Sequence, residues 1–319
     1  MRRQAKLWIL FVTLWTCALA ETRAGLVSDI VNQVSQSSYQ FYLDNLLYAH
    51  NGDNRGLGGA QHDLAQANIY NQFVSYGLQT SLDPFPYNGN TYYNVVGVLP
   101  GTSRASQFYI VGAHYDSVGN PGADDNASGV AGVLEAARVL SQYEFEASLV
   151  FIAFDREEQG LFGSQDYASE HWSDDIRAMI SLDMIGYNHL GGNTASIYGR
   201  AAALPLKQAL ADAIAAYGEG LTASIFGQWD VSDHAPFGWQ GFHACLLIEG
   251  GWAHNTNYHK LTDSVDTPGF IDYQFATRIT RSTVGYLATV AVLVPEPVAA
   301  ALFGSGLVWL ILLRRTRRR

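Results

Sequence analysis

The sequence predicts an α/β fold with helices on both faces of a central sheet. Three observations predict it. Apolar runs of strand length, rich in β-branched and aromatic residues, recur at 92–99, 108–111, 148–154, 179–182 and 244–248. Longer stretches with helical spacing lie between several of them, so strand and helix alternate and the sheet is covered on two sides. The runs at 108–111, 148–154 and 179–182 each empty into a loop bearing histidine or acidic residues, and ligand sites of open α/β sheets gather at such strand ends. The chain has 319 residues, 48% of them hydrophobic, enough for one large domain with a sizeable core.

Residues 1–20 read MRRQAK followed by LWILFVTLWTCALA, a basic start and an apolar run ending in Ala18-Leu19-Ala20. That order is an export signal peptide with cleavage after Ala20, and the run is short for a full membrane span. The body of the protein is expected at 25–293. Its first part reads as an amphipathic helix over 26–47, a glycine-rich loop over 51–59 and a helix over 61–76 that stops at Gly77. The strand at 92–99 stops at Pro100-Gly101 and is expected to lie beside the strand at 108–111. A helix follows at 130–140, then the strand at 148–154 and a helix from about Ser164. The strand at 179–182, a helix over 201–217, a loop over 232–237, the strand at 244–248 and a closing helix over 273–293 complete the domain.

Formal net charge is −10, but eight of the 19 basic residues lie at the two ends (Arg2, Arg3, Lys6, Arg314, Arg315, Arg317, Arg318, Arg319). Setting them aside leaves 11 basic against 29 acidic residues, a charge of −18. A body that acidic excludes nucleic acid as a natural partner and suits divalent cations or amine-bearing ligands. Cys17 falls in the signal segment. Cys245 falls in the apolar run ACLLI, where a buried, inert thiol is expected.

The stretch FYIVGAHYDSVGNPGADDNASG, residues 108–129, organises the chemistry. It delivers His114 and Asp116, then Asp125, before the next helix. Glu157-Glu158 and Asp183 follow the next strands, and His259 lies in a polar aromatic loop near the end. Two histidines and three carboxylates suffice to hold two zinc ions with one carboxylate bridging, and a further carboxylate is then needed to take a proton from a water between them. Taken alone, adjacent Glu157-Glu158 also fits a solvated pair at a helix start.

The motifs HYDS, GADDNASG, DREEQGLFGS, SLDMIG and NYHKLTDS, in that order over about 93–293, resemble the secreted bacterial di-zinc aminopeptidases. The resemblance implies a three-layer α/β/α sandwich with a mixed, mostly parallel sheet and a site with two zinc ions. It implies His114, Asp125 and Glu158 as the set for one zinc, with Asp125 bridging to a second held by Asp183 and His259. Glu157 matches the general base. Asp116 matches the carboxylate that orients His114, and Asp263 is expected to do the same for His259. Tyr258 matches a phenol that hydrogen-bonds the developing oxyanion. The resemblance also implies a cis peptide after Asp125, leaves Asp124 as a loop acid only, and makes His234 in SDHAPF structural. The expected reaction is removal of the first residue from peptides or proteins with a free amino terminus. A carboxypeptidase or a one-zinc glutaminyl cyclase of the same fold are alternatives, as is a surface or matrix protein that keeps the fold without catalysis. All ligand positions for two metals are present, which speaks against the cyclase. Against the carboxypeptidase, there is no clear arginine set for a substrate carboxylate; Arg156 and Arg200 are the only candidates near the motifs.

Residues 294–319 stand apart: Pro295-Glu296-Pro297, an apolar run over 298–313, and arginines to the end. This order resembles the PEP-CTERM sorting signal of exported bacterial proteins. It implies an exosortase-type enzyme as a partner and transient anchoring in the inner membrane, with a final location at the cell surface, in the extracellular matrix or secreted.

Overall fold

The structure is a computed structural model that describes residues 24–47, 54–56 and 58–294. The expected signal peptide at 1–20 and the expected sorting tail at 294–319, save Val294, lie outside the described residues.

The order of elements is α1 (24–31), α2 (Gln36–Phe41) with a π-helical turn Tyr42–Leu47, α3 (Ala60–Ser75), β1 (Gln79–Tyr87), β2 (Asn90–Leu99), β3 (Arg104–His114), α4 (Gly129–Leu140), β4 (Ala147–Phe154), α5 (Phe162–Glu170), β5 (Asp175–Leu182), β6 (Thr194–Tyr198), α6 (Leu204–Tyr217), β7 (Thr222–Ile225), α7 (His234–Trp239), β8 (Ala244–Glu249) and α8 (Tyr273–Val290). The eight strands form one sheet in the order β1-β2-β4-β3-β5-β8-β6-β7. Its middle, β4-β3-β5-β8, is parallel, and antiparallel pairs flank it, so the sheet is mixed as expected.

Alternation along the central strands sets the three layers. In β4, Leu149, Phe151 and Ala153 join one core with α1, α2, α3, α4, α6 and α8. Val150, Ile152 and Phe154 join the other, against Tyr167 of α5 and Phe237 of α7. Every residue of β4 is buried, as for a strand covered on both faces.

The structure corrects several sequence expectations. The helix expected over 26–47 is broken: Ser35 is extended, and its hydroxyl accepts the Ser38 N–H at the start of α2. The strand at 92–99 does not neighbour the one at 108–111, because β4 lies between β2 and β3. Residues 234–239 form α7, where a loop was expected. Three strands were missed. β1 carries Pro84 and Pro86, and proline disfavours a strand interior, but β1 is an edge strand, where a missing N–H is tolerated. Its sequence signal was the turn Asn88-Gly89, both at positive φ (48° and 79°) between antiparallel strands. β6 and β7 are five and four residues long, too short to show a period.

Gly129, at the start of α4, packs against the end of β5. A Cβ there would lie 2.3 Å from the Leu182 carbonyl oxygen and 2.4 Å from Asn126 Oδ1. Gly129→Ala is expected to cost about 1–3 kcal/mol in stability. Denaturant unfolding checks this, and an unchanged midpoint would contradict the packing. Among the described residues, no helix is long and apolar enough to cross a membrane.

Candidate metal centre

Three adjacent parallel strands deliver the polar residues. β3 ends at His114, with Asp116 two residues on; β4 ends before Asp155-Arg156-Glu157-Glu158; β5 ends before Asp183. Asp125 lies in the tight turn before α4, and His259 in the loop between β8 and α8, at φ 56°. The Asp125–Asn126 peptide is cis, as the resemblance implies.

The expected metal ligands come together with Glu157, Asp116 and Tyr258. His114 Nε2 lies 3.3 Å from Asp125 Oδ1, 3.6 Å from Asp183 Oδ1 and 4.0 Å from Glu157 Oε2. His259 Nε2 lies 3.1 Å from Asp125 Oδ2 and 3.3 Å from Glu158 Oε2. The two oxygens of Asp125 thus face different histidines. Donor atoms of His114, Asp125 and Glu158 lie within 4.8 Å of one another, as do those of His114, Glu157 and Asp183. The shortest contacts nevertheless pair Asp183 with His114 and Glu158 with His259, exchanging the two acids relative to the sets expected from sequence.

Asp116 is fully buried and serves two neighbours. Its carboxylate accepts the Glu157 N–H (3.2 Å) and the Glu158 N–H (3.3 Å), which aims that acidic pair. It also lies 3.5 Å from His114 Nδ1, and its own backbone carbonyl lies 3.2 Å from the same nitrogen. This environment turns Nε2 of His114 toward the acids. Tyr258 stacks on His259, ring centroids 3.8 Å apart, and lines the mouth of the site.

Sequence reading missed the frame behind these residues. Asp124, expected as a simple loop acid, is buried and accepts the Gly186 N–H (2.8 Å) and the Asn255 side-chain amide (2.8 Å). Asn126 donates to the Leu182 carbonyl (2.9 Å) and accepts the Met184 N–H (3.2 Å), while Ser128 accepts the Ile185 N–H (3.0 Å). Residues 124, 126 and 128 therefore bind the turn after β5, and Asp125 is left facing His114 and His259. Asp263 does not orient His259: its carboxylate accepts the amides of Asp124 (2.7 Å) and Asp125 (3.2 Å). His234 is buried, and burial pulls it down to about 4, so a neutral structural imidazole is the consistent reading.

Crowding of acids dominates the electrostatics. Burial pushes Glu157 well above the usual carboxylate range, and Asp183 and Asp233 add to that. Burial and Asp125 raise Glu158 to about 7. Burial also acts to raise Asp125, but hydrogen bonds with His114 and His259 outweigh it and take it down to about 2. Those from Asp125 and Glu158 push His259 up to about 10. Glu158 Oε1 and both carboxylate oxygens of Asp233 are buried without a hydrogen-bond partner. Imidazole nitrogens and surplus carboxylate oxygens in a buried space are a donor set suited to divalent cations such as zinc.

The site opens into a cavity of about 440 Å³. Acids form one wall. Met184, Leu246, Ile248, Trp229 and Trp252 form another, with the two indoles 4.5 Å apart. Neither candidate arginine is free to meet a substrate carboxylate. Arg156 is 1% exposed, against Asp155 and over the Tyr92 ring. Arg200 pairs with Asp230 at 2.6 Å.

Residues 94–286 match the profile of Peptidase family M28. A probable zinc metalloprotease of Pyrenophora tritici-repentis (strain Pt-1C-BFP) is 39% identical over 192 residues, covering 50% of this chain and 44% of that protein. Leucine aminopeptidase 1 of Paracoccidioides brasiliensis (strain Pb03) is 25% identical over 301 residues, covering 84% of this chain and 74% of that protein. The chain spans less than half the length of the zinc-metalloprotease relatives it matches. The crystal structure of Legionella pneumophila LapA aminopeptidase shares the fold, with a TM-score of 0.74 at 23% identity over 84% of this chain and 75% of that one.

Proposed function

The chain belongs to peptidase family M28, and from that premise we propose that it is an exported di-zinc metallopeptidase acting as an aminopeptidase. One observation carries the two-metal reading: Asp125 reaches His114 with one oxygen and His259 with the other. One set is then His114, Asp183 and Asp125 Oδ1; the other is His259, Glu158 and Asp125 Oδ2. When bound, the two zinc ions supply Lewis-acid polarisation of the scissile carbonyl and acidify a water.

The chain's own residues do the rest. Glu157, turned to the cavity and bonded to neither histidine, takes the proton of the attacking water and passes it to the leaving amine. Tyr258 at the rim donates a hydrogen bond to the oxygen that gains charge. Asp116 holds His114 and the Glu157-Glu158 backbone in place. The acidic wall attracts the free ammonium of an amino terminus, and the apolar wall takes the first side chain. The engagement of Arg156 and Arg200 argues against a carboxypeptidase.

Export and location rest on sequence alone. We place the mature enzyme outside the inner membrane, after removal of residues 1–20, with the tail at 294–319 handled by an exosortase-type enzyme. A final location at the cell surface, in the extracellular matrix or secreted would follow from that handling.

Aminoacyl-nitroanilides test the activity. The purified protein is expected to cleave leucyl and phenylalanyl substrates and to leave the aspartyl one nearly untouched. N-acetylated versions should be inert. A chelator should abolish turnover and added zinc restore it. Turnover of acetylated substrates, or turnover that survives chelation, would overturn the reading.

A further inference from the structure

The segment before the family-matched residues places a buried cation behind the site. Arg55 is 1% exposed and does not line the cavity. Its guanidinium donates to four backbone carbonyls: Tyr115 (2.8 Å), Pro121 (2.8 Å), Gly122 (2.5 Å) and Leu47 (3.2 Å). Its amide donates to the Ser117 hydroxyl (3.1 Å), which in turn donates to the Asn120 carbonyl (2.9 Å).

We propose that Arg55 is a positioning residue for the metal centre, shaping the loop that joins His114 to Asp125. This rests on the metal-site reading above. The ten residues from 115 to 124 contain glycines and a proline, and such a loop has many shapes unless it is held. A planar guanidinium has five donors in a fixed fork, and three of its hydrogen bonds here span the loop from Tyr115 to Gly122, while the fourth ties it to Leu47. They fix how far apart the His114 and Asp125 ends stand. Asp263 works from the other side, accepting the amides of Asp124 and Asp125. The loop thus hangs between a cation that takes its carbonyls and an anion that takes its amides. Packing is close as well: a Cβ on Gly56 would lie 2.8 Å from the Ser117 carbonyl oxygen and 2.9 Å from the Gly119 nitrogen. A neutral side chain at 55 would leave buried carbonyls without donors and loosen the spacing of the ligands.

The test is zinc affinity, measured on the full-length protein by competition with a chromogenic chelator, for wild type, Arg55→Gln and Arg55→Lys. Thermal unfolding with and without zinc is recorded alongside. Arg55→Gln is expected to weaken zinc by about 10–100-fold and to shrink the thermal shift that zinc confers. Arg55→Lys, which keeps the charge and loses the fork, should fall between. Affinities within about threefold of wild type in the variants that fold, with melting lowered equally with and without zinc, would reduce Arg55 to a purely structural role and overturn the proposal. Should Arg55→Gln fail to fold, Arg55→Lys decides by the same criterion. A wild-type protein that takes up no zinc would overturn the metal-site reading, and this proposal with it, an outcome distinct from variants that bind like a zinc-binding wild type.

Discussion

Glu157→Gln is expected to lower kcat on aminoacyl-nitroanilides by about 10²–10⁴-fold while zinc content stays at the wild-type level. The change is isosteric and removes only the ability to take a proton. The backbone should not respond, because the Glu157 N–H is held by Asp116 whatever the side chain carries. The Glu157 carboxylate lies 4.0 Å from His114 Nε2, farther than Asp125 or Asp183, as suits a group that faces the reacting water. Kinetics beside metal analysis separate the two roles open to this residue. Activity that falls in proportion to lost zinc would make Glu157 a ligand. Activity near wild type would remove it from the mechanism.

Asp125→Asn should act through the opposite route. In the proposed two-zinc site both ions would depend on its carboxylate, so the variant is expected to lose affinity at both positions, by more than the roughly 10–100-fold typical of changes one layer out from a metal. Asparagine keeps one acceptor oxygen and turns an NH₂ toward a histidine or a cation. The local chain path should survive, since Asp263 holds the backbone amide of residue 125 and not its side chain. Metal content after dialysis, with circular dichroism to confirm the fold, checks this. Full retention of one zinc would show that Asp125 serves a single metal.

The candidate residues His114, Glu157-Glu158 and Asp183 were legible because each ends or follows a strand whose apolar run is easy to read. His114, Glu157-Glu158 and Asp183 leave three adjacent parallel strands, so alternation and strand direction bring them to one end of the sheet. The frame behind them was not legible. Asp124 and Asp125 are the same residue type side by side, and only the turn of the backbone sends one to the metal side and the other to the Gly186 amide. The role of Asp263 was misread for a similar reason: its nearness in sequence to His259 says nothing about which amides it meets. Arg55 stands 59 residues before His114, in a stretch whose glycines and polar residues read only as loop. Strand order was equally hidden, since the insertion of β4 between β2 and β3 is a long-range pairing that no local pattern encodes.

The prolines of β1 have a bearing beyond their place in the ladder. An open sheet ends in rows of unpaired amides and carbonyls, and such a row invites a strand from another molecule. Pro84 and Pro86, two residues apart and both paired across to β2, fall on alternate positions and remove the donors that would point away from the sheet. At the far side β7 offers four residues, too few for a firm hold. An eight-stranded sheet that could polymerise through its margins is thereby closed to growth. A protein of this design can remain dispersed at high local concentration.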